Sequence, residues 1–221
     1  MHVESRDSVS LKPAELDELG QLLSVIGISL GDSELDQQLE QFPLIVQVSV
    51  DGERQGFLFG SLERVGGTPC ILWGLGAVRR GRNSNAVMKA LVGELYRRAA
   101  ISFPDEDVLV AGQVGHPAAY GLLQPLADVV PRTGYAPTGE ERAWGRRLAR
   151  RFNCDSRYDD RTFRCGPLGK SAAILDASTV KAGGKSATAL LEGVDASQGE
   201  ALVVFGWALA DALADGLSSG V

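Results

Sequence analysis

The sequence predicts an α+β fold, in which a mixed, mostly antiparallel sheet is flanked by helices and followed by a C-terminal extension. Two observations support this prediction. Three segments with strand character follow one another between residues 43 and 78 and are separated only by turns, as in an antiparallel meander. The pattern then changes to an amphipathic helix and back to a buried strand. The 221 residues, 44% of them hydrophobic and 23% charged, suit a globular chain of this kind.

Two helices are predicted before the meander. Residues 13–27 repeat apolar side chains at the spacing of one helical face, and Pro13 and Gly27 suit the start and the end of that helix. A second, shorter helix is predicted from Ser33, a good N-cap residue, to Gln41. The chain therefore enters its sheet through a pair of helices.

The meander contains three predicted strands. The first covers residues 43–50, and Asp51-Gly52 then forms a strong hairpin turn into a second strand over residues 54–65. The third strand covers residues 70–78 and is apolar on both faces, which is typical of a strand in the middle of a sheet.

Beyond the meander, apolar side chains between Val87 and Ala99 lie on one face of a predicted helix. A buried strand then covers residues 107–114, and a short helix begins at Pro117 and ends near Pro125. The later elements are predicted as a helix over 140–152, an irregular charged connector over 154–169, strands over 172–178 and 201–207, and a helical or frayed tail. We expect residues 1–153 to form the core, and residues 154–221 to complete or extend the same domain.

The stretch from Ala77 to Leu91 places three arginines and a glycine directly before the long helix. This loop and the order of the elements resemble the GNAT superfamily of acyl-CoA-dependent N-acyltransferases, over residues 70–124 and in element order elsewhere. The family's pyrophosphate loop joins its fourth strand to its third helix and has Gln or Arg, two residues, Gly, one residue, then Gly or Ala. Arg80 matches the first place, whereas Asn83 and Asn85 take the two small places.

The chemistry of this loop can be argued from its residues. The N-terminus of a helix carries unpaired N–H groups and partial positive charge, so it attracts phosphate. No acidic residue occurs between Glu63 and Glu94, although the net charge of the chain is −6. Asparagine replaces glycine best where the backbone is left-handed, but its side chain fills space that a phosphate would need. The alternative is a loop and helix face that are simply solvated.

The resemblance implies a coenzyme site along the third strand of the meander and the loop after it. The residues expected to bind acetyl-CoA or another acyl-CoA are Leu75, Ala77, Val78, Arg80, Gly81, Arg82, Asn83, Ser84, Asn85 and Ala86.

Acyl transfer to an amine needs a base for the amine and an acid for the leaving thiolate. The family often places the base on the strand before the loop, and its tyrosine four residues after an alanine in the helix after the fifth strand. Here that strand carries no such base, and Leu123 stands in the place of the tyrosine. The candidate catalytic residues are Tyr120, His116 and Glu63, for which core packing, helix capping and a surface charge are the respective alternatives.

Several classes of function are excluded by the composition. The negative net charge argues against general binding of nucleic acids, and no apolar run reaches the length of about 18 residues that spans a bilayer. Three cysteines without paired spacing and two histidines do not suggest a metal site. The N-terminal segment lacks the apolar region of a signal peptide, so we expect a cytoplasmic protein.

The predicted function is an acyltransferase that moves an acetyl or other acyl group from acyl-CoA to the amine of a small molecule or peptide. Two alternatives stay open. The first is a catalytically inactive GNAT-like binding or regulatory module. The second is a GNAT-like enzyme with other acyl-thioester chemistry, such as hydrolysis or decarboxylation. We also leave a homodimer open.

Overall fold

The computed structural model describes residues 1–28, 32–167 and 184–214, and over these ranges the chain forms one nine-stranded sheet with helices on both faces. The strands are β1 (His2–Asp7), β2 (Leu44–Val50), β3 (Glu53–Val65), β4 (Thr68–Val78), β5 (Val108–Val114), β6 (Ala127–Val130), β7 (Tyr158–Asp159), β8 (Arg164–Cys165) and β9 (Ala201–Ala208). The helices are α1 (Pro13–Val25), α2 (Asp32–Gln41), α3 (Ser84–Ser102), α4 (Pro117–Leu123), α5 (Gly139–Arg151), α6 (Gly184–Leu190) and α7 (Ala210–Ala214).

The sheet is mixed and mostly antiparallel, which confirms the predicted fold class. Its strands follow the order β1-β2-β3-β4-β5-β9-β8-β7, and β6 pairs with β9 beside this path. The pair β4–β5 is parallel, whereas the other pairs between described strands are antiparallel. A parallel pair needs a crossover connection, and α3 supplies it.

Strand β1 is not predicted from the sequence. This strand pairs with β2 from His2↔Ser49 to Asp7↔Leu44 and forms one edge of the sheet. Its side chains are exposed or only half-buried, so its sequence lacks the apolar alternation from which a strand can be recognised. With β1 included, β4 is the fourth strand, and the loop after it leads into the third helix.

Each face of the sheet carries its own hydrophobic core. On the first face, which we call the α3 face, helices α3, α4, α6 and α7 cover side chains such as Trp73 and Val110. On the second face, the α1–α2 face, helices α1, α2 and α5 cover Phe57, Phe59 and Leu72. Alternation along the strands therefore sends neighbouring residues of β4 into different cores.

The C-terminal part joins the same sheet. The predicted strand over 201–207 is confirmed as β9, which lies between β5 and β8. The connector after residue 153 was expected to be irregular, and this expectation is wrong for part of it because β7 and β8 form a short hairpin next to β9. The strand predicted over 172–178 and the end of the tail lie outside the described residues. The division of the chain at residue 153 stays a prediction.

Gly74 of β4 lies directly under the ring of Phe42, which follows α2. A Cβ at Gly74 would lie 2.6 Å from the Phe42 ring. Phe42 is itself held between the sheet and α5, because its ring contacts Phe152 and the Arg151 guanidinium lies over it. The absence of a side chain at Gly74 is what allows α2 to pack so closely on β4.

We therefore expect Gly74→Ala to lower the free energy of unfolding by about 1–3 kcal/mol, because the new methyl group overlaps the Phe42 ring. Gly93→Ala is the matched control, since Gly93 lies exposed on α3 and a Cβ there meets no atom within 4 Å. It should raise the free energy of unfolding by about 0.5–1 kcal/mol. Chemical denaturation measures the free energy of unfolding of both variants. If Gly74→Ala does not lower it relative to Gly93→Ala, the Phe42 ring can move aside without destabilising the protein.

Candidate functional site

Strands β4 and β5 pair over only part of their length. Their parallel register runs from Cys70↔Leu109 to Trp73↔Gly112, whereas β4 continues to Val78. Within the described residues, no strand pairs with Gly74–Val78 on the β5 side. We call this unpaired end of β4, together with the facing end of β5, the β4–β5 opening. Its strand edge offers backbone N–H and C=O groups to an extended ligand.

A β-bulge marks the start of this opening. The register between β3 and β4 shifts between Gly60↔Trp73 and Leu58↔Gly76, so that Gly74 and Leu75 together oppose one residue of β3. A bulge leaves backbone groups outside the regular ladder and bends its strand. The N–H of Leu75 donates to Oε1 of Gln38 on α2, at 2.8 Å.

The three predicted coenzyme residues of β4 lie along the opening. Leu75, Ala77 and Val78 are fully buried, and their side chains belong to the two cores. A ligand at these positions would therefore contact the backbone rather than the side chains.

The opening leads into the loop before α3. The N–H of Arg79 donates to the Gln55 carbonyl at 2.7 Å, which fixes the start of the loop to β3. The buried Ser84 closes the loop, because its hydroxyl and its N–H both donate to the Gly81 carbonyl. In the described part of the chain, the N–H groups of Asn85 and Ala86 have no hydrogen-bond partner. Such N–H groups in the first turn of a helix favour an anion.

The backbone of this loop differs from the expectation for its asparagines. Asn83 has φ −96°, and Asn85 and Gly81 are not among the residues with positive φ. The loop therefore does not use the left-handed conformation for which asparagine would be the best substitute for glycine. Both asparagine side chains are exposed, and a Cβ at Gly81 would also meet no atom within 4 Å. The loop is open to solvent.

Positive charge is concentrated around this loop. Arg79, Arg80 and Arg82 are exposed beside the first turn of α3, and Lys89 is exposed one turn further along the helix. The acidic Glu94 that ends the acid-free stretch is occupied elsewhere, since it accepts hydrogen bonds from Arg97 and from Ser5 of β1. The field at this end of α3 therefore favours a polyanion.

Glu63 lies away from the opening. It opposes Cys70 in the register of β3 and β4, four to eight residues before the residues of the opening, or about 13–26 Å along the strand. Its carboxylate accepts hydrogen bonds from Arg151 at 2.5 and 3.0 Å and from the Ser61 hydroxyl at 2.7 Å. Burial alone would raise the pKa of Glu63, but the hydrogen bonds and the charge of Arg151 hold it below the ordinary value of 4.5. This environment stabilises a structural anion.

The Glu63–Arg151 pair makes stability depend on pH. Because the folded state lowers the pKa of Glu63, the pair's contribution is complete above the unfolded pKa and is lost as the pH falls through the folded pKa. We expect Glu63→Gln to cost about 1 kcal/mol at neutral pH, since the half-buried pair is screened by solvent. The cost should shrink below about pH 4, as the wild-type carboxylate becomes protonated. Urea denaturation across this range measures it, and a cost independent of pH would contradict the assignment.

His116 and Tyr120 lie where β5 ends. His116 follows the last residues of β5 and caps α4, because its Nδ1 accepts the Ala118 N–H at 3.2 Å. Tyr120 lies one turn later and is buried, and its hydroxyl donates to the Pro131 carbonyl at 2.9 Å. Burial raises the pKa of Tyr120 against the opposing effect of Arg132, so the hydroxyl is protonated at neutral pH. His116 also lines a cavity of about 800 Å³ between α4 and α6.

The structure thus brings most of the predicted site residues to one end of the sheet. The strand and loop residues lie at the end of β4, and His116 lies at the adjacent end of β5, whereas Glu63 does not join them. Sequence reasoning missed Gln38, which is buried although it is polar. Its position between the apolar Leu35 and Leu39 of α2 was the available signal, because a polar residue beside such positions turns toward the core.

The mixed sheet, the order of the described elements and the loop between the fourth strand and the third helix match the GNAT-like fold that the sequence predicts. Among the described residues, no helix is long and apolar enough to cross a membrane, and no group of three or more His, Cys, Asp or Glu could hold a metal ion.

Known proteins that are similar to this chain are found among solved structures. No protein-family model matches the sequence, and no curated protein matches it. Similar solved structures include an aminoglycoside 6′-acetyltransferase type Ii, which is 20% identical with a TM-score of 0.44 and covers 60% of this chain and 88% of its own. Another is the ribosomal-protein-S18-alanine N-acetyltransferase from Escherichia coli, at 14% identity and a TM-score of 0.43, over 63% of this chain and 86% of its own. A third is a GNAT family acetyltransferase from Brucella melitensis in complex with acetyl-CoA. It is 16% identical with a TM-score of 0.37, and the match covers 54% of this chain and 82% of that protein. At these identities the likeness concerns the fold alone.

Proposed function

We propose that the protein is an acyltransferase that moves an acetyl or other acyl group from acyl-CoA to an amine. The observation that carries the proposal is the continuity of two features. The unpaired edge of β4 runs directly into an exposed, arginine-rich loop at the N-terminus of α3. Coenzyme A combines an extended arm that contains amides with a pyrophosphate, so its two parts match the two features in order.

The pyrophosphate would lie against the first turn of α3. There the N–H groups of Asn85 and Ala86 would donate to the anion, and Arg80 and Arg82 would add positive charge. The amide-containing arm would pair with the open edge of β4 along residues 75–78, where alternate residues direct their N–H and C=O groups away from β3. The shape of the loop would determine how closely the pyrophosphate approaches Gly81, Asn83 and Ser84. The Ser84 hydroxyl stabilises this shape, because it donates to the Gly81 carbonyl.

The thioester of acyl-CoA supplies an activated acyl carbonyl, and the chain then has two tasks. It must orient the amine against that carbonyl, and it must move protons from the amine and to the leaving sulphur. Of the candidate residues, His116 lies at the end of β5 beside the opening, and we propose it as the base. Tyr120 is protonated and lies one turn along α4, and we propose it as the acid. We do not propose a catalytic role for Glu63.

The acceptor is proposed to be an amine of a small molecule or peptide that approaches from the side of α1 and α2. We retain the cytoplasm as the proposed location. A homodimer also stays a proposal.

A catalytically inactive module is the second candidate, and two observations favour it. The strand before the loop carries no carboxylate or histidine, and the hydroxyl of Tyr120 is bound to the Pro131 carbonyl. Such a module would bind the coenzyme without turnover. Hydrolysis or decarboxylation of an acyl thioester would share the coenzyme site and would differ in its products.

Coenzyme binding tests the site itself. A ligand at 100 times its Kd stabilises a protein by about 2.7 kcal/mol, so millimolar acetyl-CoA should raise the Tm by several degrees. Arg80→Glu should abolish the shift, because it places a negative charge beside the phosphates. Arg161→Glu, on the exposed turn between β7 and β8, makes the same change of charge elsewhere and should leave the shift intact. The absence of a shift in the wild-type protein would rule out the proposed function.

A second variant separates catalysis from binding. His116→Asn keeps a side chain that can cap α4, since asparagine is a good N-cap residue, but removes the imidazole. We expect its Tm and its acetyl-CoA shift to match the wild type, while release of free coenzyme A with a panel of amines falls about 10²–10⁴-fold. Full activity in His116→Asn would show that His116 serves only as a cap. Coenzyme binding by the wild type without any turnover would favour the inactive module.

A further inference from the structure

Gln38 is a buried polar residue that contacts the bulge of β4. Its side chain is 5% exposed, and its Oε1 accepts the Leu75 N–H at 2.8 Å. Burying an amide or a backbone N–H is costly unless the group is hydrogen-bonded. Each of these groups therefore satisfies the other, and the Leu75 N–H at the bulge is bonded to a side chain.

The hydrogen bond between Gln38 and Leu75 lies next to the candidate coenzyme site. Leu75 lies two residues beyond Trp73, where pairing with β5 ends, and therefore at the start of the β4–β5 opening. This is the part of β4 along which we propose that the acyl-CoA arm lies, so the present inference rests on the proposed function. The group that Gln38 presents to the N–H is an amide carbonyl, which is the same type of acceptor as the carbonyl of a thioester.

We infer that Gln38 lowers the preference of the site for acylated over unacylated coenzyme, because its side-chain carbonyl occupies the N–H that an acyl carbonyl would otherwise take. An acyl-CoA gains the Leu75 N–H only by displacing Gln38. A coenzyme without an acyl carbonyl neither needs this donor nor disturbs the contact.

The contacts around Gln38 limit how its side chain can move away from the Leu75 N–H. Its own carbonyl accepts the Phe42 N–H at 2.9 Å, and the Phe42 ring is packed on Gly74. The carbonyl of the neighbouring Gln41 accepts a hydrogen bond from Arg151 at 2.6 Å. The end of α2 is thus fixed to β4 and α5, so Gln38 leaves the N–H by rotation of its side chain while the helix stays in place.

Two coenzyme derivatives isolate the effect of the acyl carbonyl. Acetyl-CoA and S-ethyl-CoA have the same number of carbons on sulphur and differ at the carbonyl, so the ratio of their Kd values reports that group alone. Isothermal titration calorimetry of each derivative gives the ratio for the wild type and for two variants of Gln38. The full chain is used throughout.

Gln38→Leu keeps a similar side-chain volume and removes the competing acceptor. The Leu75 N–H then lacks a partner in the free protein, so acetyl-CoA should bind about tenfold more tightly while the Kd of S-ethyl-CoA stays unchanged. Gln38→Glu keeps an acceptor at the same place and adds a charge, which strengthens its hold on the N–H. This variant should weaken acetyl-CoA relative to S-ethyl-CoA, and it remains informative if Gln38→Leu does not fold.

The outcomes separate this inference from the proposed function. Opposite changes of the Kd ratio in the two variants support the role of Gln38. A ratio that equals the wild-type ratio in both variants overturns that role and leaves the acyl-CoA site standing. If the wild-type protein binds neither derivative, the proposed function fails and the role of Gln38 fails with it.

Discussion

The pairing of β5 with β9 is the constraint on which the candidate site depends. Strand β5 pairs with β9 along its whole length, from Val108↔Ala208 to Val114↔Leu202, but with β4 only as far as Trp73↔Gly112. The end of β5 therefore follows β9, and no described strand pairs with the end of β4 on that side. Strand β9 comes from the last part of the described chain. The C-terminal segment therefore determines the position of β5 beside a site whose predicted binding residues lie between residues 75 and 86. Loss of β9 would expose the other edge of β5 and remove the strand that holds it.

Local signals in the sequence were enough for much of the fold. The Asp51-Gly52 turn is present with φ of 51° and 83°, as the hairpin signal requires, and the apolar face of α3 is buried. These elements are specified by residues close together in the chain. Strand β1 and the β7–β8 hairpin are different, because their own sequences are polar or short and only the strands beside them make them pair. Their formation is a tertiary effect that no local pattern contains.

The same distinction explains what could be predicted of the site. The loop before α3 was recognised because its arginines and the helix after it are contiguous in sequence. Glu63 lies close to β4 in sequence, but its partner Arg151 lies 88 residues away, so the ion pair cannot be predicted from the strand alone. Gln38 meets Leu75 across 37 residues for the same reason. Charge and spacing identify candidates, whereas the partner of each group decides whether it is free to react.

In the proposed mechanism, the cap formed by His116 would couple proton transfer to the start of α4. Since Nδ1 accepts the Ala118 N–H, the neutral imidazole carries its hydrogen on Nε2, and the lone pair that could take a proton is the one that caps the helix. Protonation of Nδ1 would place two donors face to face and release the cap. The first turn of α4, which leads to Tyr120, would then lose its anchor at the moment when His116 gains a charge. A base in this position would report its protonation state as a change in local helix order.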